Sequence, residues 1–144
     1  MKILVTGGIG YIGSHTCVEL IKAGYEVVII DNLCNASLEA LERIETLTAT
    51  NIPFYKIAIR NKKELSQVFR ENQIDAVFHF AGLKSISESV EKPNKYYENN
   101  VEGTFLLIEV MSKFNCKYFV FSSSATVYGD PHKVPIKENF PLSA

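Results

Sequence analysis

The chain contains no tryptophan, only three cysteines and no long apolar run. Cys17, Cys34 and Cys116 are odd in number, far apart and without a C-x-x-C pair, which excludes a disulfide framework and a zinc knuckle on spacing grounds. They read as buried or incidental thiols, in keeping with a reducing cytoplasm. No stretch approaches the roughly 20 apolar residues of a membrane span, and the first apolar run breaks at Gly7, too early for a signal peptide. Charge of either sign is never blocked. With 15 Lys and Arg against 16 Asp and Glu, the net charge is −1, so nothing electrostatic points to nucleic acid or an anionic membrane as partner. Internal repeats and low-complexity tracts are missing too. At 144 residues the chain has one domain's worth of length, enough to bury about two thirds of its unfolded surface.

What is present begins at once. Lys2 to Asp31 reads as an apolar strand (Ile3, Leu4, Val5), a glycine turn (Thr6-Gly7-Gly8-Ile9-Gly10-Tyr11-Ile12-Gly13), a helix ending at Gly24, a second strand over Glu26 to Ile30, then Asp31. A bare G-x-G-x-x-G is a weak signal; placed between a strand and a helix it is a dinucleotide fingerprint. Glycines let backbone N–H groups approach a pyrophosphate, and the positive end of the following helix favours its charge. A carboxylate at the end of the second strand can accept both ribose hydroxyls of NAD and would repel the extra phosphate of NADP. NAD is therefore the expected cofactor. The plainer reading is a turn followed by a capped helix.

Further on, strand and helix patterns alternate, as in a parallel sheet covered on both faces. Leu38, Leu41, Ile44 and Leu47 mark a helix; Pro53 introduces a strand through Phe54, Tyr55, Ile57 and Ile59. Asn61 caps a helix carrying Leu65, Val68 and Phe69, and Ile74 to Phe80 forms a fourth, nearly continuous apolar strand. Pro93 opens a long helix with Tyr97, Val101, Phe105, Ile108 and Met111. Tyr118 to Phe121 is the fifth strand. The expected architecture is an α/β doubly wound, Rossmann-type parallel sheet of order 3-2-1-4-5, stopping after strand 5, with its crevice beyond strands 1 and 4. Residues 1–128 form the NAD-binding domain; residues 129–144, with Pro131, Pro135 and Pro141, form a segment without periodicity.

Chemistry in such sheets sits beyond the carboxyl ends of the strands. Strand 4 delivers His79-Phe80-Ala81-Gly82-Leu83-Lys84. Ala81 and Gly82 are small enough for a ribose or pyrophosphate to lie against the backbone, and Lys84 could face a phosphate or be an ordinary solvated lysine. His79, inside the strand, reads as a packed core residue. Ser122, Ser123 and Ser124, with Thr126 and Tyr128, could orient a sugar hydroxyl or form a simple turn. Asn99 and Asn100 need partners if buried. No grouping suggests a metal.

Taken together, the glycine turn, Asp31-Asn32-Leu33-Cys34-Asn35, His79 to Lys84, Lys92-Pro93, Tyr96-Tyr97, Asn99-Asn100-Val101 and Phe121 to Asp130 closely resemble the UDP-glucose 4-epimerases of the extended short-chain dehydrogenase/reductase family. The resemblance covers the whole chain. It implies NAD-dependent interconversion of UDP-glucose and UDP-galactose in galactose metabolism, a UDP-hexose ligand and a homodimer formed partly by the helix opened by Pro93. It also implies roles: Gly7, Gly10, Tyr11, Ile12 and Gly13 at the pyrophosphate, Asp31 at the ribose, and Asn32 and Asn35 at the adenosine end. Phe80, Ala81, Gly82, Lys84, Asn99 and Ser122 then line the rest of the cofactor, and Ser124 orients the substrate.

Departures from that pattern carry expectations of their own. Ile9 replaces a small residue and is expected to crowd the turn. Ala58 stands where the family carries an aspartate for the adenine amino group, so a contact worth roughly 0.5 to 1.5 kcal/mol is missing. Ser87 replaces a common glycine. The family's Tyr-x-x-x-Lys base occurs nowhere in these residues; four positions after Tyr128 comes His132, with Pro131 between to break a helix. Two expectations follow: the amino-terminal part of an epimerase, inactive alone, or a non-catalytic NAD-binding remnant or interaction module.

Overall fold

A computed structural model describes residues 1–143. Five parallel strands, β1 (Lys2–Thr6), β2 (Glu26–Asp31), β3 (Phe54–Lys56), β4 (Ala76–His79) and β5 (Tyr118–Phe121), form one sheet of order β3-β2-β1-β4-β5. This is the doubly wound arrangement expected from the alternation of patterns. The chain winds outward from β1 in one direction, returns, and winds outward in the other. The reversal lies between β1 and β4, where Thr6 stands opposite both Ile30 and His79.

Strand alternation decides which helices cover which face. Ile3, Val5, Val27 and Ile29 pack with Cys17 and Val18 of α1 (Tyr11–Lys22) and Ile44 of α2 (Leu38–Thr48). Leu4, Val28, Ile30 and Val77 point the other way, against Leu65, Val68 and Phe69 of α3 (Lys62–Asn72) and Leu107, Val110 and Met111 of α6 (Gly103–Lys113). Between β4 and α6 lie two short helices, α4 (Ile86–Glu91) and α5 (Pro93–Tyr96), and a π-helical turn over Tyr97–Glu102. A 3₁₀ turn over Ala125–Tyr128 follows β5, and no regular element follows it among the described residues.

Helix starts follow their capping residues. Ser37 Oγ accepts from Glu39 N–H, Asn61 Oδ1 from Glu64 N–H and Ser85 Oγ from Glu88 N–H, each satisfying a donor that the helix itself leaves open. Asn61 thus acts as expected.

The helix marked by Leu38, Leu41, Ile44 and Leu47 forms as expected, with only Ile44 of the four buried, since each three-residue step falls about 60° short of a full turn and carries Leu38 and Leu47 off the core face. Three expectations need correction. Strand 3 ends at Lys56, because the chain turns there with Ile57 N–H bonded to Tyr55 O; Ile59 instead sits in the core under Gly103, where an added Cβ would come within 2.6 Å of it. Strand 4 is confined to Ala76–His79. Finally, the helix opened by Pro93 is interrupted by the π turn, and Tyr97, Val101, Phe105 and Ile108 face outward while Gly103, Leu107, Val110 and Met111 face the sheet.

Ile9 also behaves otherwise than expected. Its side chain is 3 % exposed and packs among the core residues of the α1 and α2 face, away from the crevice. Replacing Ile9 with Ala is therefore expected to cost about 2 to 4 kcal/mol in urea denaturation without improving cofactor affinity. Tighter NAD binding in that variant would restore the crowding explanation.

β5 is an edge strand, and Tyr118, Val120 and Phe121 on it are exposed, as are Tyr97 and Phe105. An open edge beside apolar side chains favours association. The 144-residue chain should self-associate as its concentration rises, and light scattering that shows a stable monodisperse monomer at high concentration would contradict this.

Candidate functional site

Where β1 ends, the chain turns sharply: Gly7 has φ +65°, and a Cβ on it would lie 2.7 Å from Ala81 N. A Cβ on Gly13 would lie 2.2 Å from Gly7 O, so the first turn of α1 can sit against the glycine turn only without a side chain there. Gly10, the residue before α1, offers no side-chain cap, whereas α2, α3 and α4 are capped by Ser37, Asn61 and Ser85. The first N–H groups of α1, with the positive end of the helix, are thus left for an anionic ligand.

Asp31 closes β2 beside this turn. Its carboxylate is almost buried and accepts a 2.9 Å hydrogen bond from Leu33 N–H. Burial pushes its pKa above the ordinary carboxylate value, while the N–H groups of Leu33, Ile9 and Asn32 oppose the rise. Such a group has a reason to take up hydroxyl donors. Asn32 Oδ1 is occupied by Cys34 N–H at 3.1 Å.

The opposite wall comes from β4. Phe80, Ala81, Gly82, Leu83 and Lys84 follow it, with Lys84 arching over Gly82, whose added Cβ would lie 3.4 Å from Lys84 Cε. Asn99 approaches from the π turn, a feature that often marks functional positions, and Ser122 from the end of β5.

These pieces enclose one cleft of about 280 Å³. Gly7, Gly10, Tyr11, Ile12, Gly13, Asp31, Asn32, Asn35, Phe80, Ala81, Gly82, Lys84, Asn99 and Ser122 all line it. Ile30, Cys34, Ile57, Ile59 and Leu83 line it as well. Sequence reasoning missed these five because their apolar side chains look like core; the only signal available was position at or just beyond strand ends. The arrangement fits an extended dinucleotide: an open helix start, a carboxylate at one end, and small residues with a cation and amides along the other wall.

Ser124 lies outside this cleft. Its Oγ caps the 3₁₀ turn, accepting from Thr126 N–H at 3.3 Å and from Thr126 Oγ1 at 2.8 Å. Ala58 bonds through its carbonyl to Asn61 N–H, between the two cleft-lining isoleucines.

Two buried titratable groups are unsuited to acid–base or nucleophilic chemistry. Burial drives the Cys17 thiol up to about 12, so it stays protonated and inert. Burial and the neighbouring Lys84 cation bring His79 down to about 4, so it is a neutral core residue, as expected from its place in the strand. Among the described residues no group of three or more His, Cys, Asp or Glu could hold a metal, and no helix is long and apolar enough to cross a membrane.

Comparison with known proteins agrees with this geometry. Over its full length the chain is 57 % identical to the UDP-glucose 4-epimerase of Bacillus subtilis, and over 143 residues it is 57 % identical to that of Dictyostelium discoideum. It spans 42 % of the length of each. Its fold matches a UDP-glucose 4-epimerase from Stenotrophomonas maltophila with bound NAD and formylated UDP-arabinopyranose (TM-score 0.93, 44 % identity, all of this chain and 43 % of the other). A UDP-glucose 4-epimerase from Bifidobacterium longum in complex with NAD+ and UDP matches equally well (TM-score 0.93, 48 % identity, 99 % of this chain and 43 % of the other). Residues 3–144 match the model of the NAD dependent epimerase/dehydratase family, and the chain belongs to that family.

Proposed function

We propose that these residues are the NAD-holding part of a UDP-glucose 4-epimerase, an enzyme interconverting UDP-glucose and UDP-galactose in galactose metabolism in the cytoplasm. The observation that carries this reading is the convergence of the glycine turn, Asp31, the Phe80–Lys84 wall, Asn99 and Ser122 on one cleft. High identity to relatives bearing that name supports it.

Gly7, Gly10, Tyr11, Ile12 and Gly13 would hold the pyrophosphate against the uncapped start of α1. Asp31 would accept the ribose hydroxyls, with Asn32 and Asn35 beside the adenosine. Phe80, Ala81, Gly82, Lys84, Asn99 and Ser122 would line the remainder of the cofactor and keep water from it. NAD, once bound, supplies a hydride acceptor and donor for one sugar carbon. Ser124 would orient a sugar hydroxyl, which requires its Oγ to leave the Thr126 contacts. The outward face of Tyr97, Val101, Phe105 and Ile108 would meet a second subunit. A non-catalytic NAD-binding module is the competing reading, favoured by the place of Ser124 outside the cleft with its Oγ engaged by Thr126.

Two measurements test the proposal. Calorimetry should show NAD bound, with Asp31→Asn weakening it about ten- to a hundredfold, the worth of hydrogen bonds to a charged group, and narrowing the preference over NADP. An unchanged affinity would remove Asp31 from the site.

The 144-residue chain should give no detectable UDP-glucose from UDP-galactose over many hours with NAD present. Acid–base assistance worth roughly 10² to 10⁴ in rate is missing without the tyrosine of a Tyr-x-x-x-Lys pair, and positioning of the hexose can be worth about 7 to 11 kcal/mol. Product that disappears in a Ser124→Ala variant would show that another group here serves as the base.

A further inference from the structure

His79 is buried, yet both of its ring nitrogens are engaged. Nδ1 lies 2.5 Å from Thr6 Oγ1 and Nε2 lies 2.9 Å from Thr104 Oγ1. The directions of these bonds follow from their neighbours. Thr104 Oγ1 donates its single hydrogen to Asn100 O at 2.6 Å, so it can only accept from the ring, and Nε2 must carry the proton. In a neutral imidazole Nδ1 is then an acceptor, and Thr6 must donate to it. Thr6 Oγ1, with its hydrogen so used, accepts from Ala81 N–H at 3.3 Å. Burial and the nearby Lys84 cation keep the ring neutral.

The path then closes on itself. Asn100 Oδ1 accepts from Leu83 N–H at 2.8 Å, and its Nδ2 donates to Leu83 O at 2.9 Å. Asn99 Nδ2 adds a 3.0 Å bond to the same Asn100 Oδ1. Ala81 and Leu83 flank Gly82, and all three line the cleft. We infer that His79 is a positioning residue: as its Nε2–H tautomer it closes a ring of hydrogen bonds through Thr6, Thr104 and Asn100 that holds both ends of the Ala81–Leu83 loop, and Asn99 with it, against the bound cofactor. The ring joins β1, β4, the π turn and the first turn of α6. Its significance for ligand binding rests on the reading of the cleft as an NAD site.

Thr104 does not line the cleft and is the place to break the ring. Nitrogen-15 spectra of the unmodified chain at neutral pH should show His79 protonated at Nε2 alone; an Nδ1–H or doubly protonated ring would overturn the inference. In Thr104→Val, amide hydrogen exchange should quicken at Leu83 and Ala81 ahead of the rest of the sheet, and the NAD dissociation constant should rise about five- to tenfold, within the net worth of one hydrogen bond. Thr104→Ser should restore both. Exchange that is unchanged, or that quickens evenly across the sheet, would reduce His79 to an ordinary core residue, as would an unaltered dissociation constant. Failure of the unmodified chain to bind NAD would count against the function proposed above; the tautomer and exchange readings judge the ring without any cofactor.

Discussion

Everything in this molecule hangs on the central position of β1, hydrogen-bonded to β2 on one side and β4 on the other. Parallel strands need crossovers, crossovers place helices on the faces, and a strand that begins windings in both directions forces those crossovers to part. The gap above β1 follows from topology alone. Thr6, the last residue of β1, looks across at Ile30 and His79, so the ends of β2 and β4 rise on either side of the glycine turn. Asp31 and Phe80 are next in line on the two flanks.

The polar groups near that gap are arranged with unequal economy. Every buried side-chain nitrogen and oxygen among the described residues has a partner, including the Thr6 hydroxyl and both nitrogens of His79. Bonds of that kind tie the loop beyond β4 to β1 and to the π turn. By contrast α1 starts without a side-chain cap, and Asp31 holds a charge that its burial disfavours. Both lie on the cleft, and both are features that an anionic, hydroxyl-rich ligand would complete.

The π turn serves the same end from the other side. One extra residue in the winding redirects the side chains after Tyr97, so that Asn99 reaches the cleft, Asn100 reaches Leu83, and Gly103 admits Ile59 beneath α6. A regular helix carrying the stripe of Tyr97, Val101, Phe105 and Ile108 would have been free to turn that stripe toward the sheet. Here it faces solvent, and Leu107, Val110 and Met111 take the core.

Local chemistry in the sequence determined a good deal: the glycine turn between strand and helix, Asp31 at the end of the second strand, the Asn61 cap, the apolar strands buried on both faces and the strand order, while the fuller set of cleft residues came from the family resemblance. The local features were legible because backbone sterics, capping and periodicity act within a few residues. Distances between remote segments lay beyond that reach. The burial of Ile9, the outward stripe on the interrupted helix, the early end of β3 at Lys56, the five apolar residues of the cleft wall and the retreat of Ser124 into a 3₁₀ cap were all decided by what packs against what. Periodicity shows that a helix has an apolar stripe but not which neighbour will cover it, and a polar side chain's partner is chosen only once the sheet brings β1, β4 and the π turn together.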